Sequence, residues 1–342
     1  MSYRVAINGY GRIGQAVLRA IYERGLERKL VPVAINELAD IETVSYLTRY
    51  DTTHGRFPRP VRVEQNHLIV ADQPVRVLCE AQAEQLPWRD LDVDLLFECS
   101  GSFSDRETAE RHLSAGAQRL LFSQPARADV DATIIAGLND TDLQSSHRIV
   151  SAASCTTNAI IPVLALLNEA FGIEQGLTTT VHSAMNDQPV IDAYHHTDLR
   201  LTRSALQSII PVDTSLDKGI DRLLPQLSGR FKCLHLRVPT INVSLMDMSI
   251  TLSRETTEAE VNALLREASQ GRLKGYLGYT EEPHASVDFN RDSHSSVIDA
   301  TQTRVSGGQL LKLICWFDNE WGFANRMLDT AERWLDLQPN SK

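Results

Sequence analysis

Three groups of residues have types and spacings that could do chemistry. The first is Ser154-Cys155-Thr156-Thr157-Asn158. It follows a strand-like run, Arg148-Ile149-Val150-Ser151, and precedes an apolar, helix-like run, Ala159 to Leu167, with Pro162 early enough to sit near a helix start. A cysteine at such a junction meets the unpaired N–H groups and positive end of the helix, which favour the thiolate, the nucleophilic form. Position alone equally allows a small buried hydrophobe. The second group is His182, closing the threonine- and valine-rich run Leu177 to His182. Alone it reads as a satisfied core histidine. The third is Gly9-Tyr10-Gly11-Arg12-Ile13-Gly14, a GxGxxG.

The elements that must position these groups are legible around them. Tyr3 to Asn8 reads as a buried strand, and Ile13, Val17, Ala20 and Ile21 recur at helical spacing. The glycine turn therefore lies between strand and helix, the context in which such turns hold a pyrophosphate. A second strand, Leu30 to Asn36, ends at Glu37, where a carboxylate can accept from an adenosine ribose and repel a 2′-phosphate, favouring NAD over NADP. Asp40 to Tyr50 is predicted helical and 51–57 a polar loop. Val61–Val70 and Val75–Leu78 read as antiparallel strands, and Asp94–Cys99, Leu120–Ser123 and Thr133–Ala136 as further strands. Between them a helix turns Ala109, Leu113 and Thr108 inward. The alternation implies an α/β, doubly wound parallel sheet of Rossmann type. Asn36, Cys99-Ser100-Gly101 and Ser123 should border its ligand crevice.

After Leu167 the pattern changes. A long polar segment runs from Ser183 to Arg203, and strand-like runs follow at Cys233–Val238, Ile241–Leu252, Ser286–Phe289 and Leu311–Phe317. Thr257-Glu258-Ala259-Glu260 is a capping box before an amphipathic helix with Val261, Leu264, Leu265 and Ala268 inward. This half reads as an α+β domain with a mostly antiparallel sheet. Phe323, Met327, Ala331 and Trp334 mark a last helix that returns to the first domain. The expected division is 1–154 with 320–342 as the dinucleotide domain and 155–319 as the catalytic domain.

The 342 residues carry a net charge of −10, which argues against a polyanion binder, so no nucleic-acid partner is expected. The five cysteines, at 79, 99, 155, 233 and 315, have no CxxC spacing, which disfavours a disulfide framework or a metal site and fits a reducing cytoplasm. Neither a leader nor a membrane span is expected.

Taken together the chain resembles the phosphorylating glyceraldehyde 3-phosphate dehydrogenase superfamily. The resemblance rests on residues 6–14, Tyr50-Asp51-Thr52-Thr53-His54-Gly55-Arg56-Phe57, Ser154 to Asn158, Val181-His182-Ser183, Leu236-Arg237-Val238-Pro239-Thr240 and Trp316-Phe317-Asp318-Asn319-Glu320-Trp321-Gly322. It implies that Cys155 attacks an aldehyde, that His182 is the base, and that the product is first a thioester on Cys155. It implies NAD as cofactor, lined by Asn8, Gly9, Gly11, Arg12, Ile13, Gly14, Glu37, Ser123 and, at the nicotinamide, Asn319. Ser154, Thr156, Arg200, Thr214 and Arg237 would bind a small phosphorylated aldose, and the assembly would be a homotetramer.

The departures point within the superfamily. Met185 stands where a phosphate-holding threonine is common and Leu201 where an arginine is; Ser215 and Asp217 replace a glycine and an alanine. If Asp213 and Asp217 face the pocket, inorganic phosphate is less welcome there. The chain is thus most similar to the branch that oxidises D-erythrose 4-phosphate to 4-phosphoerythronate on the way to pyridoxal 5′-phosphate. The alternatives are a glycolytic, phosphorylating enzyme and a dinucleotide binder without turnover.

Overall fold

The computed structural model describes residues 1–195 and 198–337. Residues 196 and 197 of the long polar segment, and the last five of the expected C-terminal helix, lie outside them. Two compact units emerge: Met1–Ser154 with the described chain from Ala324 on, and Cys155–Phe323.

The first unit is built on a nine-stranded sheet. Its order is Ala132–Thr133, Ile149–Ser151, Leu120–Phe122, Leu95–Glu98, Tyr3–Asn8, Leu30–Asn36, Gln73–Leu78, His67–Val70, Val61–Glu64. The first seven run parallel and the last two strands join antiparallel. The order reverses beside Tyr3–Asn8, so the switch-point crevice opens at Asn8, Asn36 and Glu98. Helix Arg12–Glu23 buries Val17, Leu18, Ala20 and Ile21. Helices Ile41–Arg49 and Arg106–Ser114 are capped by Asp40 and Asp105, each accepting from a backbone N–H in the first turn. Trp88, Leu96, Leu120 and Phe122 share one core cluster; each such side chain contributes about 1.5–3 kcal/mol by burial.

Two expectations change here. Only Ala132–Thr133 is strand, because the Asn139 side chain accepts from Ile135 N and donates to Thr133 O, turning the chain instead of extending it. Thr108 is half-buried, and His112 takes the inward place beside Ala109 and Leu113. The polar loop contains a short hairpin, Tyr50–Asp51 with Gly55–Arg56.

The second unit holds an eight-stranded sheet ordered Ile210–Val212, Phe231–Arg237, Ile173–His182, Ser244–Leu252, Leu310–Phe317, Ser296–Asp299, Leu277–Thr280, with Arg304–Ser306 pairing Leu310–Phe317. Most neighbours are antiparallel; Ile173–His182 with Phe231–Arg237, and Leu277–Thr280 with Ser296–Asp299, are parallel. Met246, Met248, Ile250 and Leu252 alternate inward. The expected strand Ser286–Phe289 is a 3-10 helix, because Asp288 accepts from Ala285 N and closes a local turn. Glu260 completes half of its capping box: Thr257 accepts from Glu260 N, while the Glu260 carboxylate goes to Thr256 and Arg254. Among the described residues no helix is long and apolar enough to cross a membrane.

Candidate active site

The thiol sits at the first residue of helix Cys155–Phe171. Just before it, Ala153 adopts φ 60°, a left-handed conformation rare outside glycine, and its N–H bonds Ser151 Oγ at 3.0 Å. This sharp corner ends the strand Ile149–Ser151 and aims the following N–H groups at the sulfur. Pro162 lies well inside the helix, not near its start. The nearly continuous burial of Ala159 to Leu167 holds the helix together across the missing hydrogen bond.

His182 arrives from the adjacent sheet. Its Nε2 lies 3.8 Å from Cys155 Sγ, and its Nδ1 is 2.8 Å from the Ser183 carbonyl. That second contact requires the Nδ1–H tautomer, leaving the Nε2 lone pair toward the thiol. Burial lowers the His182 pKa, helped by Arg237 and opposed by the Ser183 carbonyl, Asp187 and Glu320. The sequence expectation of a ready thiolate is corrected. Burial pushes the Cys155 thiol up to about 12, against the N–H groups of Thr156 and Cys155, and Asp318 and Glu320 push the same way. Burial thus favours the uncharged form of both partners, the thiol and the imidazole. Activation then falls to the base rather than to the helix end.

Asn319 belongs to the same unit. Its Oδ1 accepts from Ser183 Oγ (3.1 Å) and Ser244 Oγ (2.9 Å), so the two serines fix which end of the amide turns outward. Arg237, opposite His182 in the parallel register, is buried. Its fork is closed on Asp187 at 2.6 and 3.0 Å, while its Nε is buried without a hydrogen-bond partner. An incoming anion must therefore share this cation with Asp187. Thr214 accepts from Leu216 N at 3.2 Å, in the loop before helix Leu216–Leu223. That helix lies against the thiol helix, with the Gly219 backbone facing Thr157. Asp217 turns back to Lys218 N, and Asp213 is exposed. Ser154 and Thr156 flank the thiol and are half-buried. Arg200 is exposed in a 3-10 turn, with no contact to Cys155 or His182 among the described residues.

In the first unit the glycine turn has three distinct occupancies. Gly9 has φ +85°, and a Cβ there would sit 2.4 Å from the Ser100 backbone. A Cβ at Gly14 would sit 2.2 Å from the Gly9 carbonyl oxygen. At Gly11 no atom beyond the glycine and its two chain neighbours lies within 4 Å of where a Cβ would be. The fold itself demands the first and third glycines, while the second leaves open space at a helix N-terminus that has no side-chain cap. A pyrophosphate fits that space and those N–H donors. Glu37 accepts from Tyr10 N and Leu38 N, both at 2.7 Å, and so ties the strand end to the turn. Ile13 is half-buried at the start of the same helix.

Asn8 is spent on structure: it donates to Glu98 at 2.5 Å and accepts from Asn36 at 2.7 Å. Arg12 forms a fork with Asp51 at 2.6 and 3.2 Å. Burial alone would raise the Asp51 pKa, but Arg12 and the His54 N–H hold it at about 2. Ser123 N donates to the Glu98 carbonyl, at the crevice edge. Sequence reasoning missed Glu98, Asp187, Ser244 and Asp51. Glu98 carried a signal, an acid ending an apolar strand, and Asp51 stood within the Tyr50 to Phe57 segment that carries the resemblance. No cluster of metal-ligating side chains occurs among the described residues.

Two protein-family models match the chain. Residues 3–106 match the model described as glyceraldehyde 3-phosphate dehydrogenase, NAD binding domain. Residues 154–319 match glyceraldehyde 3-phosphate dehydrogenase, C-terminal domain. The cofactor of the glycine turn is accordingly NAD. The chain belongs to the glyceraldehyde 3-phosphate dehydrogenase family, of which it carries both the NAD-binding and the C-terminal domain.

Proposed function

We propose that the chain oxidises D-erythrose 4-phosphate to 4-phospho-D-erythronate, with Cys155 as nucleophile and His182 as general base. The observation that carries this reading is the 3.8 Å approach of Sγ to an Nε2 whose tautomer is fixed. His182 takes the thiol proton as sulfur attacks the aldehyde carbon and passes it to the aldehyde oxygen, giving a hemithioacetal. NAD, when bound, supplies the acceptor for the hydride. His182 takes the hydroxyl proton at that step, leaving a thioester on Cys155. Water adds to the thioester, the carbon–sulfur bond breaks, and the sulfur is reprotonated as the acid leaves. The Asn319 amide, oriented by Ser183 and Ser244, offers its N–H to the carboxamide of the cofactor.

The substrate assignment draws on what replaces the usual phosphate ligands. Met185 is a partly exposed thioether and Leu201 a buried hydrocarbon, so neither can hold an anion. Arg237 remains for the substrate's own phosphate. A homotetramer is supported by exposed apolar side chains on the second unit, among them Leu177 and Leu234 on neighbouring strands and Val190, Ile191 and Leu199 in the long segment. Five free cysteines suit a reducing cytoplasm.

The deciding experiment follows NADH formation with erythrose 4-phosphate or glyceraldehyde 3-phosphate, each with and without inorganic phosphate. Preference for the four-carbon aldehyde with little need for phosphate is the expected result. Strong, phosphate-dependent turnover of the three-carbon aldehyde would replace this reading with the glycolytic one.

A further inference from the structure

His235 has no part in the chemistry described so far, yet its ring stacks on that of His182, with centroids 5.1 Å apart and planes 26° from parallel. It stands on strand Phe231–Arg237, opposite Thr180 in the parallel register with Ile173–His182. Its Nε2 is buried without a hydrogen-bond partner. Leaving a polar atom so costs about 1–3 kcal/mol, a cost that an aliphatic side chain of similar volume would avoid. What the imidazole supplies in return is a flat face.

Near-parallel rings point their N–H bonds past one another, so the pair is not a relay. We infer that His235 is a positioning residue for His182: its ring is one wall of the base's pocket, fixing the plane of the imidazole and keeping water off that face. This inference rests on the reading of His182 as the base. The groups around the pair are consistent with it. Arg237, paired with Asp187, lowers the pKa of both imidazoles while Asp187 raises both; Glu320 raises that of His182 alone, and Cys155 Sγ lies 3.8 Å from the His182 Nε2. Burial first, then His182 and Arg237, hold His235 at about 3, so it stays neutral wherever the reaction runs and never competes for the proton.

The test compares H235F, which keeps a flat ring, with H235L, whose branched aliphatic side chain cannot cover the face of the His182 ring. Two quantities are read in the full-length protein: the titration midpoint of His182 by NMR of histidine-labelled chain, assigned with H182N, and kcat separately from KM. In H235L, water reaches the exposed face, so the His182 midpoint rises by about one unit. kcat falls about tenfold, as loosened geometry requires, with KM within about twofold. H235F stays near the parent in both. Should H235L not fold, H235Q makes the same comparison. An unmoved midpoint in H235L, or H235F as impaired as H235L, overturns the inference. Full turnover by H182N would instead remove the base reading, a separate result, and the NMR midpoint still decides the wall.

Discussion

The glycine turn and the thiol centre are built by opposite means. In the turn, sterics within a few residues and one neighbouring strand decide each position: Gly9 against Ser100, Gly14 against Gly9. At the thiol, nothing local suffices. The tautomer of His182 depends on Ser183, the orientation of Asn319 on Ser244, the plane of the base on His235, and the availability of Arg237 on Asp187. A binding turn can thus be written as a short motif, while a reactive pair must be assembled from several strands.

The largest expected effect breaks the thiol side alone. Cys155→Ala should abolish NADH formation, and His182→Asn should lower kcat by about 10²–10⁴, with the melting temperature of each near that of the parent. Because the resting thiol is pushed up to about 12, alkylation of Cys155 in the cofactor-free chain should keep rising above pH 9. A plateau below pH 8 would mean that the helix end does supply a thiolate.

The next effect sharpens the comparison inside the turn. Gly9→Ala forces a left-handed alanine into the Ser100 backbone and should cost about 3 kcal/mol or more of stability, read by denaturant unfolding. Gly11→Ala meets open space in the protein, so its unfolding curve should match the parent while the Kd for NAD, by calorimetry, weakens about tenfold or more. Equal loss of stability in both variants would remove the distinction between a glycine the fold needs and one the ligand needs.

The smallest effect is electrostatic. Asp51 is held at about 2 in the folded protein, below the usual carboxylate value near 4. Its contribution is therefore complete above about pH 4 and is lost as pH falls toward 2, on the order of 1–2 kcal/mol. Asp51→Asn should flatten that part of the stability–pH curve. Unchanged acid sensitivity would show that the Arg12 fork adds little.

The contrast also explains what was legible in the sequence. Strand–GxGxxG–helix, Glu37 at the next strand end, and the cysteine at a strand–helix junction are local patterns, and the structure builds each from neighbouring residues. Ser286-Val287-Asp288-Phe289 misled because four alternating residues satisfy a strand and a 3-10 turn alike, and the Asp288 carboxylate decides between them. Strand Leu277–Thr280 escaped notice because Gly278 interrupts its pattern; the glycine is there to let the strand pass Val297, whose side chain a Cβ would meet at 2.9 Å. The protonation of Cys155 was misread for a similar reason. The helix end is visible in sequence, but the burial and the carboxylates of Asp318 and Glu320 that outweigh it come from distant segments.

The last helix carries a consequence for synthesis. Met327, Leu328, Ala331 and Trp334 are buried, and Asp329 and Glu332 pair with Arg24 and Lys29 near the other end of the chain. The first unit is thus discontinuous, and the ribosome must make the whole intervening unit before it can be completed. At roughly 5–20 residues per second that is a wait on the order of ten seconds or more. During it the nascent nucleotide-binding sheet displays the apolar seat of the missing helix, with Arg119 lacking the Trp334 ring it will later cover. Chaperone occupancy should therefore peak on chains that have emerged past the second unit but not yet past Trp334.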